Sequence, residues 1–132
     1  MIMKRTLCLF TVILLALGVM SCQKNYNHYR ELVYGKWDLV SIDGETPALS
    51  EQLYFKSSTA VTLTVDGQSY NGEYQFYCNL LTTYFETNQN LYQEWRVETM
   101  KDSLMRAVIE LREVNGDTLE VTGTLLEYKK IP

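Results

Sequence analysis

Few side chains in this 132-residue sequence could carry covalent or acid–base chemistry near neutral pH. It has three cysteines (Cys8, Cys22, Cys78) and one histidine, His28. A His-based nucleophile–base pair needs its imidazole inside the folded domain. His28 lies in a polar stretch ahead of the first expected strand, so it is expected to stand outside. A zinc site would have to be assembled from Cys78 and carboxylates, a poor donor set for a closed tetrahedral centre. No glycine-rich phosphate loop occurs, because the glycines sit at turns and strand ends. Carboxylate pairs such as Glu110 with Glu113 exist, but strict strand alternation puts those two on opposite faces. No catalytic residue, metal or cofactor is therefore expected. The residues with most to offer are apolar and aromatic: Trp37, Leu39, Leu63, Tyr70, Tyr74, Phe76, Trp95, Ile109 and Leu111. They form either the lining of a pocket for a small hydrophobic ligand or simply a core. Tyr84 belongs to the same aromatic set, whereas Tyr54 and Tyr77 are expected to point outward.

The remaining chemistry is at the N-terminus. Met1-Ile2-Met3-Lys4-Arg5 is basic, and Thr6 to Met20 is an apolar run of 15 residues without charge. That run is within signal-peptide length and short for a bilayer-spanning helix of ~20 residues. Val19-Met20-Ser21-Cys22 then resembles the lipobox of bacterial lipoproteins, with Met20 in place of a more usual small residue. The resemblance implies cleavage before Cys22 and acylation of its thiol and its new amine. Two or three chains would give an effectively permanent membrane anchor. An ordinary secretory signal and an uncleaved anchor are the alternatives. No acidic run follows Cys22, which favours an outer-membrane lipoprotein of a diderm bacterium facing the periplasm. With Cys8 in the signal and Cys22 acylated, Cys78 is left alone. It is expected to be a buried small hydrophobe within an aromatic strand, with no intramolecular disulfide in the mature protein.

The expected organisation is therefore a signal peptide (1–21), an acylated cysteine and tether (22–33) and one small domain (34–132). Removing residues 1–21 leaves 111, enough for one core. The formal charge of −4 becomes −6 once Lys4 and Arg5 leave. An acidic domain of this size lacks the basic surface that nucleic acid requires. With 46% hydrophobic residues the chain is not a candidate for disorder.

The elements that must position these residues are strands. Tyr34 to Ile42 is the first, ended by Asp43-Gly44, and a single helical turn could precede it at Tyr29 to Val33. A short strand near Gln52 to Lys56 follows the loop around Pro47. Val61, Leu63 and Val65 then alternate with threonines, and Asp66-Gly67 is a two-residue type I′ turn signal. That turn sets Val65 opposite Gln68, Leu63 opposite Tyr70 and Val61 opposite Gly72, so both apolar sets share one face. Further strands are expected at Leu80 to Glu86 and Leu91 to Thr99, the latter with Trp95, Val97 and Thr99 on one face. The last hairpin would pair Leu104 to Glu113 with Asp117 to Leu126. A three-residue loop, Val114-Asn115-Gly116, sets Leu111 against Leu119 and Ile109 against Val121, whereas a two-residue turn would set Leu111 against Glu120. Asp102 to Val114 also has helical spacing, and a helix there is the competing reading. Glu127 to Ile131 extends or closes the last strand. Sequential hairpins with one apolar face each predict an all-β fold: a small up-and-down antiparallel β-barrel of about eight strands.

Gly35-Lys36-Trp37, opening the first strand, resembles the Gly-x-Trp of lipocalin-like domains. Ile109-Glu110-Leu111 with Gly116-Asp117-Thr118-Leu119-Glu120-Val121 resembles the final hairpin of small lipocalin-like lipoproteins. The resemblance implies an eight-stranded barrel plugged by Trp37 at one end, with room at most for a small cavity, and transfers no particular ligand. Two functions follow as expectations. One is a membrane-anchored, non-catalytic binding module for a small hydrophobic ligand. The other is an interaction or scaffold lipoprotein, an accessory subunit or inhibitor in the cell envelope, with a filled barrel and an envelope protein as partner. The short chain favours a largely filled interior with any cavity at one mouth.

Overall fold

The computed structural model describes residues 26–86 and 90–132. Cys22, Cys8, the signal region and Thr87-Asn88-Gln89 lie outside them. One short helix, α1 (Asn27–Leu32), precedes nine strands: β1 (Gly35–Ile42), β2 (Glu51–Phe55), β3 (Ala60–Val65), β4 (Gln68–Tyr77), β5 (Leu80–Glu86), β6 (Asn90–Met100), β7 (Leu104–Val114), β8 (Asp117–Thr118) and β9 (Leu125–Ile131). Successive strands pair antiparallel from β1 to β7. β9 then pairs with both β7 and β1, closing an eight-stranded barrel with two-residue β8 as an appendage. Closure leaves the barrel wall without an edge strand.

The local rules of hairpins explain most of the wall. Asp66 and Gly67 have φ of 50° and 84°, as a type I′ turn requires. The β3–β4 register is Val65↔Gln68, Leu63↔Tyr70 and Val61↔Gly72, as the alternation predicts. β5 runs over the expected residues, and Leu104 to Val114 is strand, not helix. Gly72 is needed for space rather than for a turn. A Cβ there would lie 2.4 Å from Phe85 Cδ1 and 2.3 Å from the Tyr84 carbonyl oxygen. The Phe85 ring therefore lies over the bare Gly72 backbone inside the barrel.

Alternation fails where the wall bulges. Between Val97 and Thr99 the β6 register shifts, so Thr99 pairs with Arg106 and Met100 becomes the buried residue. The expected sharing of a face by Val97 and Thr99 is thus corrected. A second shift lets Glu94 pair with Leu111 while Trp95 pairs with Ile109. The extra β7 residue turns Leu111 to the outer face and Arg112 to the inner one. It also brings Glu110 and Glu113 to the same outer face, where Glu110 meets Arg96 and Glu113 stands opposite Tyr92.

The last hairpin also departs from expectation. Val114 pairs with Asp117 across a two-residue Asn115-Gly116 turn, with φ of 54° and 83°. The three-residue loop would set Leu111 against Leu119 rather than Glu120. With Leu111 facing out, that constraint disappears and the stronger Asn-Gly turn prevails. After β8 the chain leaves the ladder through residues 119–124. Leu125 pairs with Val108 as the barrel resumes, and Val121 never pairs with Ile109.

Cys78 is likewise not in a strand. It occupies the turn between β4 and β5 with φ of 56°, is half-buried, and is disulfide-bonded, contrary to the expectation of an isolated thiol.

α1 closes the barrel end at which β1 begins. Too short to be stable alone, it is held by tertiary contacts. Tyr29 and Val33 are core residues, and Arg30 donates to the Phe76 carbonyl at 3.0 Å. The Trp37 indole N–H donates to the Val33 carbonyl at 2.8 Å. Lys130 donates to the Leu32 carbonyl at 3.0 Å while its ammonium lies 5.3 Å from the Trp37 ring centroid. A cation at a helix C-terminus is favourable on electrostatic grounds. Part of the expected tether is thus a plug of the domain. His28 sits on it, exposed, with its ring 4.6 Å from that of Tyr29.

Candidate functional site

The aromatic and aliphatic candidates divide three ways. Trp37, Leu63, Tyr74, Phe76, Trp95 and Ile109 are all buried in one continuous core with Phe55, Phe85 and Tyr128. Their polar atoms are satisfied: the Trp95 indole N–H donates to Thr83 Oγ1 at 3.1 Å, and the Tyr74 hydroxyl donates to the Ser57 carbonyl. Burial and the neighbouring Tyr34 push the Tyr74 pKa up to about 12, so it stays a neutral donor. Leu39 and Tyr70 are only partly buried and border the end opposite α1. Leu111 is on the outer wall, so the pocket-or-core assignment is corrected for it. Tyr84 is also on the outer wall, 36% exposed. Tyr77 points outward as expected, and Tyr54 lies between the ammoniums of Lys36 and Lys56.

The open end, where β2 and β6 begin and β7 ends, has a different interior. Four polar side chains from four strands meet there. Glu51 (β2) accepts through Oε2 from the hydroxyl of fully buried Tyr128 (β9) at 2.9 Å. Arg112 (β7) donates from Nε to Oε1 of Gln93 (β6) at 2.7 Å, and Gln93 is 3% exposed. Arg112 and Glu51 approach across the barrel interior closely enough for the guanidinium to stabilise the carboxylate. Burial nevertheless dominates, and the Glu51 pKa is raised despite the Tyr128 hydrogen bond and Arg112. Burial first, and Glu51 second, push Tyr128 well up.

The hydrogen bonds leave capacity unused. Among the described residues no ion pair joins Arg112 to Glu51. Among the described residues Arg112 Nη1 and Nη2, Gln93 Nε2 and Glu51 Oε1 have no hydrogen-bond partner. None of them is sealed from water. The fully enclosed side-chain atoms without a hydrogen-bond partner among the described residues, Ser41 Oγ and Arg106 Nε, belong to residues opposite Glu127 on the outer wall, and Arg106 Nε lies 3.7 Å from Glu127 Oε1. Around the cluster Leu39, Ile42, Val65, Tyr70, Leu91 and Val121 form a partly buried apolar rim. The arrangement can donate several hydrogen bonds to an anion and bury a small apolar group beside it. Among the described residues no group of three or more His, Cys, Asp and Glu could hold a metal.

Sequence reasoning missed all four polar members. Gln93 alone carried a signal, since it lies two residues before Trp95 on the same strand face. Arg112 was hidden by the bulge that exchanges it with Leu111, and Glu51 read as loop.

The outer wall has a shallow feature as well. A hollow of about 520 Å³ lies over β4, β5 and β6, lined by Glu73, Gln75, Thr82, Tyr84 and Tyr92 among others. Tyr92 donates to Glu94 at 2.9 Å, and burial with Glu94 and Glu113 raises its pKa.

No family model matches the sequence, and no curated protein does. Among solved structures, the crystal structure of Treponema pallidum Tp0751 (pallilysin) is similar at 10% identity and a TM-score of 0.49, over 89% of this chain and 95% of that one.

Proposed function

We propose that this protein is a lipid-anchored, non-catalytic binding barrel of a diderm cell envelope, held in the outer membrane through Cys22 and facing the periplasm. Its ligand site is the open end of a lipocalin-like domain. The observation that carries this reading is the contrast within one interior. The core is filled by side chains with satisfied polar atoms, while four polar atoms at the open end lack a hydrogen-bond partner among the described residues and are not fully enclosed. A roomy calyx has no place in such a barrel, so the ligand is small.

Chain length adds an orientation. α1 starts at Asn27, five residues after Cys22, which span at most roughly 17 Å. An acylated Cys22 would hold the helix-plugged end near the bilayer and turn the open end away from it. Among the described residues no helix is long and apolar enough to cross a membrane.

Palmitate labelling in cells tests the anchor. Label should be present in the wild type and lost in Cys22→Ala, and persistence in that variant overturns it. Cys78 is disulfide-bonded, and Cys8 and Cys22 are the other cysteines of the sequence. A sulfur in a thioether cannot also join a disulfide, so recovery of a Cys22–Cys78 disulfide by thiol mapping of the same samples overturns the anchor. Native mass spectrometry of protein purified from its own membrane tests the binding function. A co-purifying small molecule is expected, and a bare protein mass throughout overturns it.

A second reading, an interaction or scaffold lipoprotein with an envelope protein partner, is favoured by the outer wall. Tyr77 is 51% exposed, and the hollow at Glu73, Tyr84 and Tyr92 lies on an uninterrupted sheet face. In-cell crosslinking through that face should then recover one reproducible partner.

A further inference from the structure

We infer that the open end selects a small amphiphilic acid, with the ligand's carboxylate held by Arg112 and Gln93 and its short apolar tail lying against the rim. This deepens the binding function proposed above and rests on it.

The head-group chemistry follows from the unused capacity. Arg112 spends Nε on Gln93, which leaves both terminal nitrogens of a planar fork without a hydrogen-bond partner among the described residues. Such a fork matches the two oxygens of a carboxylate. The Gln93 amide nitrogen adds a further donor beside it, held in place because its own oxygen already accepts from Arg112. A half-buried guanidinium needs a counter-charge, and Glu51 supplies it poorly. One Glu51 oxygen is committed to Tyr128, no direct ion pair forms, and burial disfavours its charged form. A ligand anion would complete the charge balance and occupy the idle donors. An ammonium ligand would instead face Arg112. A neutral apolar ligand would displace water from the Arg112 and Gln93 donors without replacing its hydrogen bonds, a loss typically larger than the gain from one more apolar contact.

The tail follows from the floor. Trp95 and Tyr128 are buried beneath the cluster with rings 6.1 Å apart, and they block descent into the barrel. An apolar tail can therefore only turn upward against Ile42, Val65, Leu91 and Val121, all partly buried. The head sits innermost and the tail outermost, and the rim covers only a few methylenes.

The test uses the full lipidated protein in nanodiscs, with empty nanodiscs as the partition control. Octanoate, octyl phosphate, octanol and octylamine are compared by equilibrium dialysis. Octanoate should bind above the control and octylamine should not. Arg112→Met should weaken octanoate binding about tenfold or more, while leaving any octanol binding unchanged. Arg112→Lys, which keeps the charge without the fork, should fall between wild type and Arg112→Met for octanoate. Preserved far-ultraviolet circular dichroism in both variants separates binding loss from misfolding. Octanoate binding unchanged in Arg112→Met, or octylamine binding as well as octanoate, overturns the inference. Octyl phosphate outcompeting octanoate overturns the carboxylate assignment. If a molecule co-purifies from the native membrane but octanoate does not displace it, the acid assignment fails while the binding function stands. If nothing co-purifies and no probe binds, both fail.

Discussion

The two ends of the barrel are built on opposite principles. At the closed end a short helix lies across the opening, and its carbonyls are taken by groups from the barrel: Trp37 binds Val33 and Lys130 binds Leu32. Apolar contact and satisfied hydrogen bonds coincide at these groups, while a hollow of about 320 Å³ lies beside them at Arg30, Tyr34 and Tyr74. At the open end the interior turns polar, and among the described residues Arg112, Gln93 and Glu51 keep atoms that have no hydrogen-bond partner and are not fully enclosed. The difference teaches where function can reside. A fully satisfied interior contributes stability and has nothing left to offer a ligand, whereas idle donors in a partly dry setting are a binding resource.

Three substitutions break or sharpen that contrast. Trp37→Ala removes the largest contact of the closed end together with its hydrogen bond to Val33. It should cost about 3–5 kcal/mol in urea unfolding, and a loss below about 1 kcal/mol would mean that α1 is not a structural plug. Tyr128→Phe keeps the ring beneath the open end and deletes only the hydroxyl that reaches Glu51. The expected cost is smaller, roughly 0.5–1.5 kcal/mol, and no change in the midpoint would show that the Glu51 contact contributes nothing to the fold.

Glu51→Gln is the mildest change, and its sign depends on pH. Glu51 has a folded pKa above its ordinary value of 4.5. The folded protein therefore holds this proton more tightly than the unfolded chain does. Its contribution to stability is complete below that ordinary value and is lost as pH rises through the folded pKa. Glutamine keeps an acceptor for Tyr128 and cannot ionise. The melting temperature of Glu51→Gln relative to wild type should rise from pH 4 upward and level off above the folded pKa of Glu51. A difference that is flat with pH would mean that Glu51 is not perturbed by burial.

Much of the wall was legible in the sequence, and specific residues show why. Asp66-Gly67 dictates both a turn type and a register, because only that register keeps Leu63 and Tyr70 on one face. The strand expected near Leu80 to Glu86 is β5. Gln93 apart, the candidate site was not legible, because its other members depend on something remote. Arg112 and Leu111 exchange faces through one extra residue on β7. Glu51 enters the interior because β2 starts one residue earlier than its apolar alternation suggests. Tyr128 reaches it from the far end of the chain, 77 residues away.

By itself the sequence determined an all-β chain of sequential hairpins, the Trp37 strand at its start, an acidic surface and an interior too small for a large ligand. Period-two alternation and left-handed turn residues are local properties, so they can be read without a partner strand. Only the tertiary structure decided which face Arg112 takes, that the segment before β1 is a plug rather than a tether, and that the Asn115-Gly116 turn prevails. Barrel closure demands curvature, and the bulges that supply it reset the alternation downstream. A helix of six residues has no stability until a barrel end is there to receive Tyr29 and Val33.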